Sequence, residues 1–210
     1  MRDPATLQDI VPEYHSKNPA VRWLFCKRLE AALELGGLAG PGSLQVLDLG
    51  CGEGAFLKLA GERFPGHVYA GWDVHAKVSE LKVPGIRFAR VDILEASSTE
   101  LGTFDRVFCL DVLEHFQELG PVLGKLRGLL KSGGSLIISE PTESWLYRLG
   151  RLAVKGTLSA QEGPAAGPHY HDAAGVHRGL LGSGFRRQAV TRLPIRFRPL
   201  ELFHVSRYGL

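Results

Sequence analysis

The chain has 210 residues, 44% of them hydrophobic and 22% charged, with 26 glycines and three cysteines. This excludes a disordered chain, a collagen-like repeat and a disulfide scaffold, and leaves room for one large domain with its own core. The net charge of +3 is unevenly placed: residues 141–210 hold ten Lys and Arg against four Asp and Glu, so this basic third is either a solvated face or meets an anionic substrate, nucleic acid or membrane surface.

Asn18-Pro19 opens a helix, with Asn as cap and Pro at the first helical position. Val21, Phe25, Leu29 and Leu33 continue it at four-residue spacing until Gly36-Gly37 stops it. Residues 1–41 read as a helical extension capping the substrate side, and Gly40-Pro41-Gly42 as the boundary. Strand and helix then alternate. Strands are predicted at Gln45–Leu49, Val68–Asp73, Ile86–Ala89, Phe104–Leu110 and Ser135–Ser139. Helical stretches are predicted at Ala55–Phe64, Ala76–Leu81 and Pro121–Leu130, the last closed by Lys131 and Gly133-Gly134. Strands separated by helices imply parallel pairing with crossover helices. Residues 142–171 break the rhythm and read as an insertion. A helix over Asp172–Leu181 and two strands, Arg186–Leu193 and Glu201–Tyr208, close the chain. Pro194 and Pro199 bound the short loop between them, which suits an antiparallel pair.

Three further features bear on location. No apolar run approaches the roughly 18 residues of a membrane-spanning helix. Met1–Ile10 carries Asp3, Pro4 and Asp9 and reads as no secretory signal. Cys26, Cys51 and Cys109 are far apart and form no CxxC motif, so a reducing cytoplasm is expected.

The sharpest motif is Val46-Leu47-Asp48-Leu49-Gly50-Cys51-Gly52-Glu53-Gly54, a strand ending in alternating glycines before a helix. Such a loop lets a ligand approach the backbone, and the helix start offers free N–H groups. A dinucleotide pyrophosphate and S-adenosylmethionine compete for it. Asp48 favours the second, because a carboxylate repels a pyrophosphate and attracts an ammonium or sulfonium. Asp73, ending the second strand, can accept hydrogen bonds from both ribose hydroxyls; a turn aspartate is the alternative. Asp92 can take an adenine amino group and Ile93 offer its backbone N–H, although a lone Asp also serves as a helix cap.

These stretches, with Phe104-Asp105-Arg106-Val107-Phe108-Cys109-Leu110-Asp111-Val112-Leu113-Glu114-His115 and Leu129-Leu130-Lys131-Ser132-Gly133-Gly134-Ser135-Leu136, resemble class I S-adenosylmethionine-dependent methyltransferases. The resemblance is nearest to the small-molecule, quinone-biosynthesis-like branch and covers roughly residues 42–141. It implies a Rossmann-like, doubly wound α/β fold with a mostly parallel seven-stranded sheet, an antiparallel last strand and helices on both faces. Residues 42–210 would be the methyltransferase domain and 142–171 a lid-like insertion. Carried over, Asp48, Gly50, Cys51, Gly52 and Gly54 line the methionine end. Asp73 holds the ribose, Val74 faces adenine, Asp92 and Ile93 meet the adenine edge, and Leu110 sits beside the methionine.

For proton removal, His115 and Asp111 are the candidates, with Glu114 beside them. Asp111, Glu114 and His115 could also ligate a divalent metal, but carboxylates plus one imidazole are not selective and no metal is assigned. Substrate contacts are expected from Trp145, Tyr147, Arg148, His169, Tyr170 and His171; His169 and His171 lack a third metal ligand nearby in sequence. The apolar–basic stretch 145–155 either covers the acceptor or touches a membrane surface. A small-molecule acceptor is the main reading. An RNA acceptor, met by Arg186, Arg187, Arg192, Arg196, Arg198 and Arg207, is the runner-up, although the interleaved Phe185, Phe197, Phe203 and Tyr208 should face the core. A non-catalytic cofactor-binding partner protein is the third. Oligomeric state is left open.

Overall fold

The computed structural model describes residues 16–97, 101–142, 144, 145, 152, 168–197 and 200–210. Helix α1 spans Pro19–Gly36. Asn18 caps it as its sequence suggests, its Oδ1 accepting from Ala20 N at 3.0 Å, and left-handed Gly37 ends it at φ 61°. The remaining elements are β1 (Gln45–Leu49), α2 (Ala55–Arg63), β2 (Val68–Asp73), β3 (Ile86–Arg90), β4 (Phe104–Leu110), α3 (Leu119–Leu129), β5 (Leu130–Pro141), α4 (Ala173–Gly182), β6 (Arg186–Leu193) and β7 (Phe203–Gly209). Short 3₁₀ turns lie at Ala76–Glu80 and Leu113–His115.

The seven strands form one sheet in the order β3-β2-β1-β4-β5-β7-β6. The pairs from β3 to β5 are parallel, whereas β7 runs antiparallel to β5 and β6. Side chains on the central strands alternate between two cores, as a period of two requires. Leu47, Leu49, Val107, Cys109, Leu136 and Ile138 point to the face covered by Val122, Leu123 and Leu126 of α3 and Val176 and Leu180 of α4. Val46, Phe108, Ile137 and Val205 point to the opposite face, where Leu29, Ala32 and Leu33 of α1 and Phe56, Leu57 and Ala60 of α2 pack. Each fully buried Leu of this kind contributes roughly 1.5–3 kcal/mol of burial free energy. Because α1 shares this core, its inner half is a layer of the sheet packing.

Element boundaries move where turns are involved. Helix α3 starts at Leu119, and β5 begins directly at Leu130, through the residues read as a helix stop. The register between β4 and β5 shifts between Phe104 and Arg106. Gly133, at φ 75°, makes the local bend, and a Cβ on Gly134 would sit 2.8 Å from the Lys131 carbonyl. Strand β7 starts at Phe203, two residues late, because Leu200 and Glu201 donate back to the Phe197 carbonyl in a turn. Strand order reverses between β1 and β4, and a crevice beyond the carboxyl ends of strands at such a reversal is where ligands bind in open α/β sheets.

Candidate active site

The first wall of the crevice is the loop between β1 and α2. Gly50, Gly52 and Gly54 all adopt positive φ, at 75°, 51° and 77°. Gly50 N and Cys51 N both donate to the Trp72 carbonyl, at 2.7 and 3.1 Å, which ties the loop to the exit of β2. A Cβ on Gly50 would run into Val112 Cγ2, and one on Gly54 would lie 2.8 Å from Phe88 Cζ. The glycine pattern is therefore dictated by φ and by close approach of neighbouring strands.

Two buried acids stand at the strand ends. Asp48 is 2% exposed, and burial, then the nearby Asp73 charge, hold its carboxyl well above the usual range. Asp73 accepts from Gly52 N through Oδ2 and from His75 N through Oδ1, both at 2.9 Å. Among the described residues neither acid is paired with a basic side chain. Cys51 is buried, and burial with the Asp48 and Asp73 charges pushes its thiol far up, so it lines the loop as a neutral group. Val74 is exposed beside Asp73. Asp92 lies exposed, its Oδ1 accepting from Leu94 N at 3.0 Å in a turn, while the Ile93 side chain enters the core.

The second wall is the exit of β4. Leu110 is half-buried against the α1–α2 core. Asp111 follows in the left-handed region at φ 56°, the only non-glycine so placed among the described residues. Its carboxylate pairs with Arg28, which is 1% exposed, and accepts from Ser139 Oγ at 2.7 Å. Arg28 also lies over the rings of Phe25 and Phe203, at 4.7 and 5.1 Å from their centroids. Asp111 is thus anchored by a buried cation and a hydroxyl, and the cation lowers its basicity relative to a free carboxylate at that position. His115 is half-buried with Nδ1 3.2 Å from the Pro168 carbonyl. A carbonyl only accepts, so Nδ1 carries a proton, and in the neutral ring Nε2 has the lone pair.

The segment 168–171 folds onto this turn. Tyr170 N donates to the Glu114 carbonyl at 2.7 Å, and His171 Nε2 lies 3.3 Å from the Gln117 carbonyl. This brings His169 against His115, ring centroids 4.9 Å apart. Trp145 and Tyr170 are exposed, whereas Tyr147 and Arg148, with most of 142–171, lie outside the described residues. The structure therefore joins His115, Glu114, His169 and Tyr170, residues more than fifty positions apart. Sequence reading missed Arg28, Ser139 and Glu140. Arg28 alone had a signal: it is a charge on the apolar arc of Phe25, Leu29 and Ala32.

The residues present fit S-adenosylmethionine. A glycine cradle that admits no Cβ borders two buried carboxylates without cationic partners, which suit an ammonium and a ribose diol. Fold and site together define a class I S-adenosylmethionine-dependent methyltransferase. The chain belongs to the methyltransferase-domain family, which matches over residues 20–189 and so includes α1.

Two curated relatives show the spread within it. Trans-aconitate 2-methyltransferase of Deinococcus radiodurans is 33% identical over 101 residues, 46% of this chain and 38% of that protein. The ubiquinone biosynthesis O-methyltransferase of Acinetobacter baylyi is 28% identical over 141 residues, 58% of this chain and 56% of that one. The chain thus spans about half or less of the length of these relatives. Among solved structures, magnesium protoporphyrin IX methyltransferase of Synechocystis PCC 6803, with bound S-adenosylhomocysteine, superposes at TM-score 0.64 with 19% identity, over 98% of this chain and 94% of that one. Among the described residues no helix is long and apolar enough to cross a membrane.

Proposed function

We propose that this chain transfers a methyl group from S-adenosylmethionine to a small-molecule acceptor bound at the exits of β4 and β5. The carrying observation is the contact of Val112 with Gly50, which sets the turn bearing His115 directly against the cofactor loop. The cofactor supplies an electrophilic methyl on sulfur; the protein's part is alignment and exclusion of water. Asp48 holds the methionine end, with the glycine loop, whose own N–H groups are tied to Trp72, Asp73 and Cys51, giving the close approach, and Asp73 holds the ribose. Leu110 and Val112 form the floor between cofactor and acceptor. Where the acceptor must lose a proton, His115 Nε2 is the basic atom in reach. Acceptor contacts are assigned to Trp145, His169, Tyr170 and His171, with Tyr147 and Arg148 in the same insertion and the outer half of α1 as the opposite wall.

Internal use of the basic C-terminal residues supports a small molecule over RNA. Arg207 donates to Ser135 Oγ and the Leu35 carbonyl, and Arg192 pairs with Glu201. Phe185, Phe203 and Tyr208 are buried and offer no stacking platform to bases, whereas Phe197, against expectation, is exposed and stands alone among the four. The test is transfer of labelled methyl from S-adenosylmethionine to a panel of phenolic, carboxylate and amine acceptors, with bulk RNA in parallel. Small-molecule product with salt-insensitive turnover is expected; label in RNA, with steep salt dependence, would move the assignment to the runner-up.

A further inference from the structure

The turn after β4 carries a constellation that the cofactor cradle does not use. Glu114, His115 and His169 each offer one ligand atom, and these atoms all lie within 4.8 Å of one another. Two come from the turn and one from the segment ahead of α4, held there by the Tyr170 N–H on the Glu114 carbonyl. The two imidazole planes stand at 76° to each other, edge to face. Behind them lie two buried acids. Glu114 is 1% exposed and Glu140 3% exposed, near enough for the charge of one to act on the other. Glu140 Oε1 is buried without a hydrogen-bond partner. Adjacent buried carboxylates both stay ionised only where a cation shares their space; otherwise one takes up a proton. Asp111, the nearest acid in sequence, is already taken by Arg28 and Ser139.

We propose that Glu114, His115 and His169 bind one divalent ion of the borderline transition series, of the Zn²⁺ or Co²⁺ kind, with Asp111 outside the ligand set. Two imidazoles and one carboxylate suit such an ion and not Mg²⁺, which prefers oxygen donors. The Pro168 carbonyl on His115 Nδ1 directs Nε2 to the ion, the usual arrangement of a ligating histidine. Three protein ligands leave a coordination position for water or for an acceptor oxygen or nitrogen. With the ion in place, His115 Nε2 is a ligand, and the ion takes over the task of making the acceptor nucleophilic.

The site rests on the acceptor side of the proposed function, but ion binding is measured without turnover, so the two readings fail separately. The experiment titrates tag-free, chelator-treated full chain with Co²⁺ alone and reads visible absorption. One equivalent should bind with the bands of a four- or five-coordinate site, and millimolar Mg²⁺ should not displace it. His169→Gln and His115→Gln each remove a direct ligand and should weaken Co²⁺ by at least the roughly 10–100-fold that loss of an outer-shell partner costs, while still binding S-adenosylhomocysteine. Asp111→Asn should keep the wild-type affinity; Ser139→Ala, which loosens the same carboxylate, is the substitute if that variant does not fold. Absence of saturable Co²⁺ binding, undiminished binding by His169→Gln, or loss of binding in folded Asp111→Asn or Ser139→Ala would each overturn the proposal.

Discussion

The exits of β1 and β2 and the exits of β4 and β5 share one edge of one sheet, yet they are built differently. At β1 and β2 the parts are local: three left-handed glycines, two acids and backbone N–H groups, all within residues 48–75. At β4 and β5 the parts come from four distant stretches: Arg28 from α1, Asp111 and His115 from the turn, Ser139 and Glu140 from β5, and His169 from before α4. A short backbone-built cradle suits a nucleoside. The two curated relatives are named for different acceptors, and the other end is assembled here from side chains that can change one at a time without disturbing the cradle.

That contrast can be broken most sharply at Arg28. Arg28→Met leaves Asp111 without its cation and should cost about 3 kcal/mol of stability, read as a lower denaturation midpoint. The double variant Arg28→Met/Asp111→Asn should recover part of that loss. Equal destabilisation by both would mean that Arg28 acts through packing on Phe25 and Phe203 alone. Next in size, Asp73→Ala removes the acceptor of two backbone N–H groups and of the ribose. Binding of S-adenosylhomocysteine should weaken by about 2–4 kcal/mol in calorimetry, with the protein still folded. An unchanged affinity would remove Asp73 from the cradle.

Gly50→Ala forces φ 75° on a residue with a side chain and pushes into Val112. About 1–3 kcal/mol is expected for the backbone alone. Because Val112 belongs to the acceptor side, turnover should fall together with cofactor affinity, which couples the two regions; a loss of affinity with normal turnover at saturation would uncouple them. Asp48 sharpens the electrostatics. Its carboxyl is raised by burial and by Asp73, so it retains a proton at pH values where an ordinary carboxyl has lost it. A cationic ligand favours the carboxylate and expels that proton. Cofactor affinity should therefore rise as pH rises through the raised value, with proton release seen as a buffer-dependent calorimetric heat. Asp48→Asn should abolish that dependence. The smallest effect is expected at Lys131→Ala, which removes a 2.7 Å pair with Asp105 at the far end of the sheet. That pair is partly exposed, so under about 1 kcal/mol should be lost, with no change in cofactor binding.

Much of the fold and of the cofactor cradle was legible in the amino-acid order. Strand periods of two, the Asn18-Pro19 start and the Gly37 stop are local rules, and the glycine loop announces its own conformation because only glycine adopts positive φ cheaply. Where local rules compete, boundaries moved: the glycines after α3 read as a helix stop but serve a bend inside β5, since sheet pairing to Phe104 outweighs the tendency to turn away. Asp111 looked like a base by its place after β4, and its neighbours made it an anchor. His169 looked like a loop histidine without partners, and the segment's hydrogen bonds carried it to His115. The chain order thus determined the α/β class, the switch point and the glycine loop between its two acids, where each requirement is met within a few residues. Only the tertiary structure decided which carboxylate is neutralised by Arg28 and which imidazoles meet Glu114. Those contacts join residues separated by more than fifty positions, and no short-range periodicity records them.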